Sequence, residues 1–432
     1  MQRFILVVAI LFLQFIYGQT NQYDVVIKNV NIVTLDSDIV LKNQNIAIKD
    51  GKIAVIESTK KSKLKGKKVI DLKGKYILPS LADAHAHFPD TETDMERFLN
   101  LNTINGVTKL RSMRGDWKHK EWREKFNAKD SYFAKLYLSP PPIHRKLEAT
   151  AADFDAYVKK AKENGFDFIK ILSIKDQATF EQLTSLCKKY AIPLGGHFPS
   201  SPKGVIIDDA LIFPNYAFIE HLGGLVGEPD VLDKRITAIQ QNNIFICPTL
   251  SWYDIGSGRH SYDELRHQPG MEFIPKTTVE DWIEKTKAYR EKLGNDAYKA
   301  EVSSELKTLD EKYEVIRKLH QANVKLLLSP DSSSKYMVTG FGMVGEMELL
   351  KKAQLSNFEI LKMAATNIAS LFNGNYGILA VGKDADFIVV DANPLEDLQT
   401  LRKIKGLYFN NIYLSPEDLE KIKSKLVSET NK

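Results

Sequence analysis

Short apolar runs alternate with amphipathic segments through the middle of the chain. Each run has the length of a buried strand, and the segments between them repeat apolar residues at helical spacing. In one segment Phe154, Tyr157, Val158 and Ala161 fall on one face, and Gly165 follows as a C-terminal cap. Eight such strand–helix units predict an α/β fold, a (β/α)8 barrel. The strand candidates are residues 76–84, 107–111, 134–138, 166–172, 192–195, 217–220, 244–249 and 324–329.

Both ends of the chain have a β-rich pattern instead. Residues 23–80 consist of strand-like runs joined by turns, and Asp50-Gly51 between two apolar runs is a hairpin signal. Strand-like runs return near the C-terminus, after the last barrel unit. The pattern therefore predicts a barrel flanked by a small β domain. The predicted divisions are residues 1–18, 19–78, 79–372 and 373–432, of which the second and fourth form the β domain.

The first residues have the pattern of an export signal. Arg3 supplies a positive charge, residues 4–16 form an apolar run, and polar residues begin at Gln19. The run is shorter than the ~20 residues that span a bilayer. We therefore expect a signal peptide over residues 1–18, cleavage near Gly18 and no stable membrane anchor. The expected location is periplasmic or secreted.

One connection is much longer than the others. More than seventy residues separate the seventh and eighth strand candidates, and helical stretches lie around 280–294 and 303–321. The last of these stretches is the predicted barrel helix. Residues 254–310 form either a lid over the site or a solvated excursion, and the sequence does not decide between them.

Composition and charge exclude several classes of protein. The hydrophobic content of 43% is that of a globular protein, and the formal charge of +5 is small for 432 residues. The lysines of 60–68 are a local cluster, typical of a solvated loop, so a nucleic-acid partner is not expected. We expect a small-molecule substrate, and a homo-oligomer stays open. Cys187 and Cys247 are interpreted as two buried thiols, with one disulfide as the alternative.

Six side chains suited to a metal centre lie in or near the ends of the predicted strands. In a barrel those ends meet on one face, so residues far apart in sequence come together. Two of the histidines form a His-x-His pair, whose alternate positions in a strand point the same way. Imidazole and carboxylate are ligands of divalent transition metals. The six are His85, His87, Lys170, His197, His221 and Asp331.

Lys170 has two interpretations. It lies in the apolar run FDFIKIL, where a charged and unpaired lysine would be costly to bury. The simple interpretation is that its amine reaches solvent or forms a salt bridge. The functional interpretation is that desolvation leaves the amine neutral and nucleophilic, so that it reacts with CO2 to give an anionic carbamate.

The sequence resembles the amidohydrolase superfamily. The resemblance rests on the six residues, on Asp83 before the His-x-His pair, and on the tail at 377–391, which is followed by Asn393-Pro394. It is nearest to the imidazolonepropionase-like and Xaa-Pro dipeptidase-like branch. The resemblance covers nearly the whole mature chain and implies a distorted (β/α)8 TIM barrel with a small β-sandwich domain formed by both termini.

The same resemblance implies a binuclear centre. His85, His87 and Asp331 would hold one divalent metal ion of the zinc type, His197 and His221 a second, and N6-carboxylysine at Lys170 would bridge them. A metal-bridging hydroxide would then attack a C–N amide bond, with Asp331 moving the proton. The implied substrate is a dipeptide, an N-acyl amino acid or a cyclic amide. The alternatives are a mononuclear deaminase or a lactone or phosphoester hydrolase; a non-catalytic binding protein is disfavoured because all six residues are present.

Substrate contacts are predicted from the loops after the strands. An arginine there could bind a substrate carboxylate through two hydrogen bonds, or equally form a salt bridge at the rim. Aromatic and histidine side chains in those loops could also face the substrate. The candidates are Arg111, His144, Arg145, Tyr253 and Tyr336.

Overall fold

A computed structural model describes residues 22–128, 130–146, 150–201 and 204–430. The predicted signal peptide, residues 1–18, lies outside these ranges. Within them, no helix combines the length and apolar character needed to cross a membrane.

The strands divide into those of a terminal sheet and those of the barrel. The strands of the terminal sheet come from both ends of the chain, while the barrel strands are short and wholly buried, apart from one exposed residue in β8. Burial on both faces is the expected state of parallel strands covered by helices. The strands are β1 (Tyr23–Val33), β2 (Val40–Lys49), β3 (Lys52–Ser58), β4 (Gly66–Asp71), β5 (Tyr76–Pro79), β6 (Leu81–Ala86), β7 (Val107–Ser112), β8 (Lys135–Tyr137), β9 (Ile169–Ile171), β10 (Leu194–Gly196), β11 (Phe218–Glu220), β12 (Phe245–Cys247), β13 (Phe387–Val390), β14 (Gly406–Phe409) and β15 (Ile412–Leu414).

The terminal sheet has the order β15-β14-β13-β5-β1-β2-β3, and β4 also pairs with β1. The predicted hairpin is present: Lys49 pairs with Lys52 across Asp50 (φ 50°) and Gly51 (φ 75°), the positive-φ pair of a tight turn. The β domain of both termini is therefore confirmed, with one difference. Its strands form one sheet instead of two, because the long, bulged β1 pairs with β4 along its first half and with β5 along its second.

The barrel is confirmed in distorted form. Strands β6, β7 and β8 are parallel neighbours, as are β9 to β12. The eighth candidate, 324–329, is an irregular segment instead of a regular strand. It still closes the barrel, since Leu327 N–H donates to the Ile246 carbonyl (2.7 Å) and Ala84 N–H donates to the Leu328 carbonyl (3.0 Å).

Helices cover the outside of the barrel. The predicted face of one helix is confirmed, with Phe154, Val158 and Ala161 buried. Cys187 lies in a helix and Cys247 in β12, and both are buried free thiols, as expected. The helices are α1 (Glu92–Thr103), α2 (His119–Phe126), α3 (Ala151–Glu163), α4 (Gln177–Lys189), α5 (Asp209–Ile212), α6 (Leu232–Gln241), α7 (Leu250–Gly256), α8 (Tyr262–Arg266), α9 (Lys276–Leu293), α10 (Asn295–Gln321), α11 (Gly342–Lys352), α12 (Asn357–Met363), α13 (Thr366–Leu371) and α14 (Pro416–Thr430).

The long connection is packed and helical. It contains α7, α8, α9 and α10, and its apolar residues share a core with α1 and α14. Met271, Phe273 and Ile283 are buried in that core beside Val338, which follows the eighth barrel segment. The connection is therefore attached by apolar packing to the chain just beyond Asp331.

Candidate metal centre

The structure brings four of the six predicted residues into one cluster at the C-terminal face of the barrel. The Nε2 atoms of His85 and His221 lie 3.9 and 4.0 Å from Asp331 Oδ2. His87 Nε2 lies 3.4 Å from Asp331 Oδ1. His85 lies one residue before the end of β6, and its ring centroid is 5.3 Å from that of His87 and 4.6 Å from that of His221. The predicted strand ends therefore converge.

The other two predicted residues border this cluster. The His197 ring follows β10, and its centroid lies 4.9 Å from that of His221. Lys170 lies in β9, opposite Gly195 of β10, with only 2% of its surface exposed. Within the described ranges the Lys170 amine forms no hydrogen bond or ion pair. Among the described residues, Lys170 therefore has no carboxylate partner of the kind that the salt-bridge interpretation requires.

Burial sets the protonation of the cluster. It lowers the pKa of His87 to about 3 and that of His197 to about 4, and lowers those of His85 and His221 further below their usual value. Burial also lowers the pKa of Lys170 to about 8, although the carboxylates of Glu220 and Asp331 oppose the shift. Neutral imidazoles and a readily deprotonated amine are the forms that bind metal and CO2.

Several buried polar atoms of the cluster lack a hydrogen-bond partner among the described residues. They are His85 Nε2, His87 Nε2 and Asp331 Oδ1. One ligand atom from each of these residues lies within 4.8 Å of the others. Buried polar atoms are normally paired, so three convergent orphans indicate that a group outside the protein completes them. Two imidazole nitrogens and a carboxylate oxygen fit a divalent cation.

The backbone is strained at the same place. The left-handed backbone conformation, which residues other than glycine rarely adopt, occurs at His221 (φ 61°), Thr249 (φ 53°) and Asp331 (φ 51°). For a β-branched threonine this conformation is a clear outlier. Strain of this kind is concentrated at functional sites, where the surrounding structure holds it.

Two residues that were not predicted from the sequence contact the predicted ligands. Glu220 accepts from His85 Nδ1 (2.7 Å) and from Arg111 (2.6 Å), and Thr249 Oγ1 lies 2.6 Å from His221 Nδ1. The sequence does carry a signal for Glu220, a charged residue inside the three-residue buried strand β11. Thr249 has no comparable signal, because its role depends on the left-handed backbone that follows β12.

Two predicted substrate contacts are buried against other parts of the chain. Arg111 is completely buried inside the barrel, where it donates to the Ala84 carbonyl and pairs with Glu220. Tyr336 is also buried, and its hydroxyl is 2.8 Å from that of Thr286 in α9. The sequence pattern does not indicate these partners of Arg111 and Tyr336.

The remaining substrate candidates stay predictions. His144 and Arg145 are exposed in the loop after β8. Tyr253 is half-buried in α7, with its hydroxyl 3.4 Å from the His221 carbonyl and the Lys312 amine 3.6 Å from its ring centroid. Of the three, Tyr253 therefore has a contact with the metal cluster.

Comparison with known proteins identifies relatives of this fold. The profile of the amidohydrolase family matches residues 175–413. A curated protein named adenine deaminase 2, from Oenococcus oeni, is 27% identical over 174 residues, which is 36% of this chain and only 30% of that protein.

Solved structures match over almost the whole chain. Bottromycin amidohydrolase superposes with a TM-score of 0.73 at 19% identity, covering 94% of this chain and 90% of that one. A Xaa-Pro dipeptidase with bound methionine gives 0.66 at 17% identity, covering 90% and 99%. Ochratoxinase from A. niger gives 0.67 at 14% identity, covering 92% and 96%. The distorted barrel, the convergent strand-end residues and the family match together place this chain in the amidohydrolase family, as a hydrolase.

Proposed function

We propose that this protein is an exported binuclear metallohydrolase that cleaves a C–N amide bond. One observation carries the proposal: His85, His87 and Asp331 each place a ligand atom within 4.8 Å of the others, and His85 Nε2, His87 Nε2 and Asp331 Oδ1 have no hydrogen-bond partner among the described residues. The His197 ring and the unpaired, buried Lys170 lie beside this group. The expected export signal favours a periplasmic or secreted location.

The residues divide into two ligand sets. His85, His87 and Asp331 would hold one divalent cation of the zinc type, and His197 and His221 would hold a second. Lys170, as N6-carboxylysine, would supply the shared anionic oxygen ligand. When bound, such a pair of ions lowers the pKa of water so that it is a nucleophile at neutral pH, and polarises the substrate carbonyl.

The protein's own groups then handle the protons. In the metal-free protein burial raises the pKa of the Asp331 carboxyl to about 7, so its surroundings accommodate the protonated form as well as the carboxylate. We assign to it the uptake of the proton from the attacking water and its delivery to the leaving nitrogen. The neutral imidazoles keep their lone pairs for ligation, since burial disfavours their protonation.

The proposed substrate is a dipeptide, an N-acyl amino acid or a cyclic amide. Two structural relatives support this class by their names, an amidohydrolase and a Xaa-Pro dipeptidase. A second candidate, a mononuclear deaminase, is favoured by the match to a protein named adenine deaminase 2. A lactone or phosphoester hydrolase is the remaining alternative on this scaffold.

The Lys170→Ala substitution tests the binuclear proposal. We expect hydrolysis of the dipeptide or N-acyl amino acid to be lost while circular dichroism shows an intact fold. Added formate or acetate should restore part of the activity, because a small carboxylate can occupy the space of the carbamate. The matched control is Lys188→Ala, an exposed position on α4, which should keep full activity.

Three outcomes separate the candidates. Loss with rescue by formate or acetate supports the binuclear amidohydrolase. Full activity of Lys170→Ala without added carboxylate contradicts it. Release of ammonia from a purine by a protein with one bound ion and an unmodified Lys170 favours the deaminase.

A further inference from the structure

Two of the predicted ligands hold a specific partner on the ring nitrogen that faces away from the cluster. His85 Nδ1 is 2.7 Å from Glu220 Oε2, and His221 Nδ1 is 2.6 Å from Thr249 Oγ1. In both rings the other nitrogen, Nε2, is the one that faces Asp331. Both contacts therefore place a partner on Nδ1, but the partner is a carboxylate for His85 and a hydroxyl for His221.

The Glu220 contact fixes which His85 nitrogen carries the proton. Arg111 is always charged and donates to Glu220 Oε1 at 2.6 Å, so Glu220 faces it as a carboxylate. An ionised carboxylate only accepts hydrogen bonds, and His85 Nδ1 must therefore donate. The buried Arg111 charge also excludes a cation from the Nδ1 side, although Cys247 lies close to His85 and Glu220 there.

The Thr249 contact has the same consequence for His221. The Thr249 hydroxyl donates its own proton to the Pro248 carbonyl at 2.8 Å. Its oxygen is then left as an acceptor toward His221 Nδ1. The Thr249 hydroxyl lies 2.6 Å from His221 Nδ1, and the strained left-handed backbone of Thr249 (φ 53°) is consistent with a functional role for this contact.

We propose that Glu220 and Thr249 are positioning residues, each of which fixes the Nδ1–H tautomer of one histidine so that its Nε2 lone pair points into the metal cluster. Glu220 acts on His85, in one predicted ligand set, and Thr249 acts on His221, in the other. This inference rests on the proposed binuclear function. Because the partners differ, the two halves of the centre can be perturbed separately.

Substitution of Glu220 has a directional effect on His85. In Glu220→Gln the amide oxygen takes the place facing Arg111, which offers only donors. The amide NH2 then faces His85 Nδ1 and converts it into an acceptor. The ring should therefore switch to the Nε2–H tautomer, which cannot bind metal through Nε2. Loss of such an outer partner typically lowers metal affinity by about 10–100-fold.

The first experiment measures the tautomers in the metal-free protein by 15N NMR of the histidine side chains. We expect Nδ1–H for His85 and His221 in the wild type, Nε2–H for His85 in Glu220→Gln, and no fixed tautomer of His221 in Thr249→Val. Thr249→Ser keeps the hydroxyl and should retain the wild-type His221 tautomer. Asp386→Asn, which alters a buried ion pair elsewhere in the barrel, is the control and should change neither ring.

The second experiment measures zinc affinity by competition with a chromophoric chelator. Glu220→Gln should weaken one of two binding steps and Thr249→Val the other, each by about 10–100-fold. Glu220→Asp, which keeps the charge, serves if Glu220→Gln does not fold. An Nε2–H tautomer of either ring in the wild type overturns the positioning proposal. Fixed Nδ1–H rings in a protein that binds no zinc would instead leave positioning intact and refute the proposed metallohydrolase.

Discussion

Two buried polar clusters lie at opposite ends of the barrel and differ in how completely they are paired. At the floor, next to the terminal sheet, Lys109 pairs with Asp386, and both contact Ser80 and Thr108. The Lys109 amine also lies 4.4 Å from the Tyr376 ring centroid. At the C-terminal face, by contrast, polar atoms of the histidines and of Asp331 have no partner among the described residues.

The contrast separates a structural cluster from a functional one. A cavity of about 730 Å3 lies beside the floor cluster, yet Lys109 and Asp386 in its lining satisfy each other. The cluster at the C-terminal face has unpartnered polar atoms among the described residues, and it contains the strained residues His221 and Asp331. Unpaired polar atoms, shifted pKa values and backbone strain together indicate function more reliably than the size of a cavity does.

The largest expected effect is a loss of catalysis when the cluster at the C-terminal face of the barrel is altered. Asp331→Asn should lower kcat by about 10²–10⁴-fold, because the amide cannot carry the proton from water to the leaving group. In the metal-free protein the stability should not fall, since burial already disfavours the ionised carboxylate of Asp331. Steady-state kinetics and thermal unfolding measure the two effects. A drop in the free energy of unfolding without a drop in kcat would reverse the assignment of this cluster.

A substitution in the cluster at the floor of the barrel should instead lower stability and leave kcat unchanged. Asp386→Ala leaves the Lys109 ammonium buried without a counter-charge, which costs about 3–5 kcal/mol in the free energy of unfolding. The kcat of the folded fraction should stay at the wild-type value. The double variant Lys109→Met/Asp386→Leu should recover most of the lost stability, because both charges are then absent. Urea unfolding with each variant tests the prediction, and a kcat defect in the double variant would contradict it.

Removal of metal should lower the Tm only of proteins in which the cluster at the C-terminal face is intact. A ligand present at about 100 times its Kd stabilises the folded state by about 2.7 kcal/mol. Chelation should therefore lower the Tm of the wild type and leave that of His85→Ala nearly unchanged. Asp386→Asn, the floor control, should lose as much on chelation as the wild type does. Equal Tm values with and without chelator in the wild type would argue against a metal at the face.

The smallest predicted effect concerns the long connection. Thr286→Val removes the hydrogen bond between α9 and the Tyr336 hydroxyl and should cost about 1 kcal/mol of unfolding free energy. If the connection is a lid, KM should rise as well, because Tyr336 follows Asp331 closely. Thr308→Val is the control, because the Thr308 hydroxyl donates to the Ser304 carbonyl of its own helix, α10. An unchanged KM would favour the solvated-excursion alternative.

The parts of the fold that follow from local pattern could be predicted from the sequence. Apolar runs and helical spacing define the barrel units, and the Asp50-Gly51 turn defines a hairpin that the structure contains. The irregular eighth segment could not be predicted, because it is held by Ile246 and Ala84, which are distant in sequence. The single terminal sheet depends in the same way on bulges in β1.

The candidate site, too, could be predicted only in part from the sequence. The convergence of His85, His87 and Asp331 follows from the rule that strand ends meet on one face of a barrel. The partners of those residues do not follow from it, because Glu220 and Thr249 matter only through geometry between neighbouring strands. Arg111 shows the limit most clearly. A strand-end arginine suggests a substrate contact, but its side chain runs inward to Glu220.

The most direct test of the account is a zinc titration of the metal-free wild-type protein, with bound metal and hydrolysis of an N-acyl amino acid or dipeptide followed together. A binuclear centre predicts about two bound equivalents of zinc. Activity should rise only as the second site fills, and Lys170→Ala should fail to reach that state. Activity that saturates at one equivalent, or that is equal in Lys170→Ala, would contradict a binuclear centre bridged by the lysine.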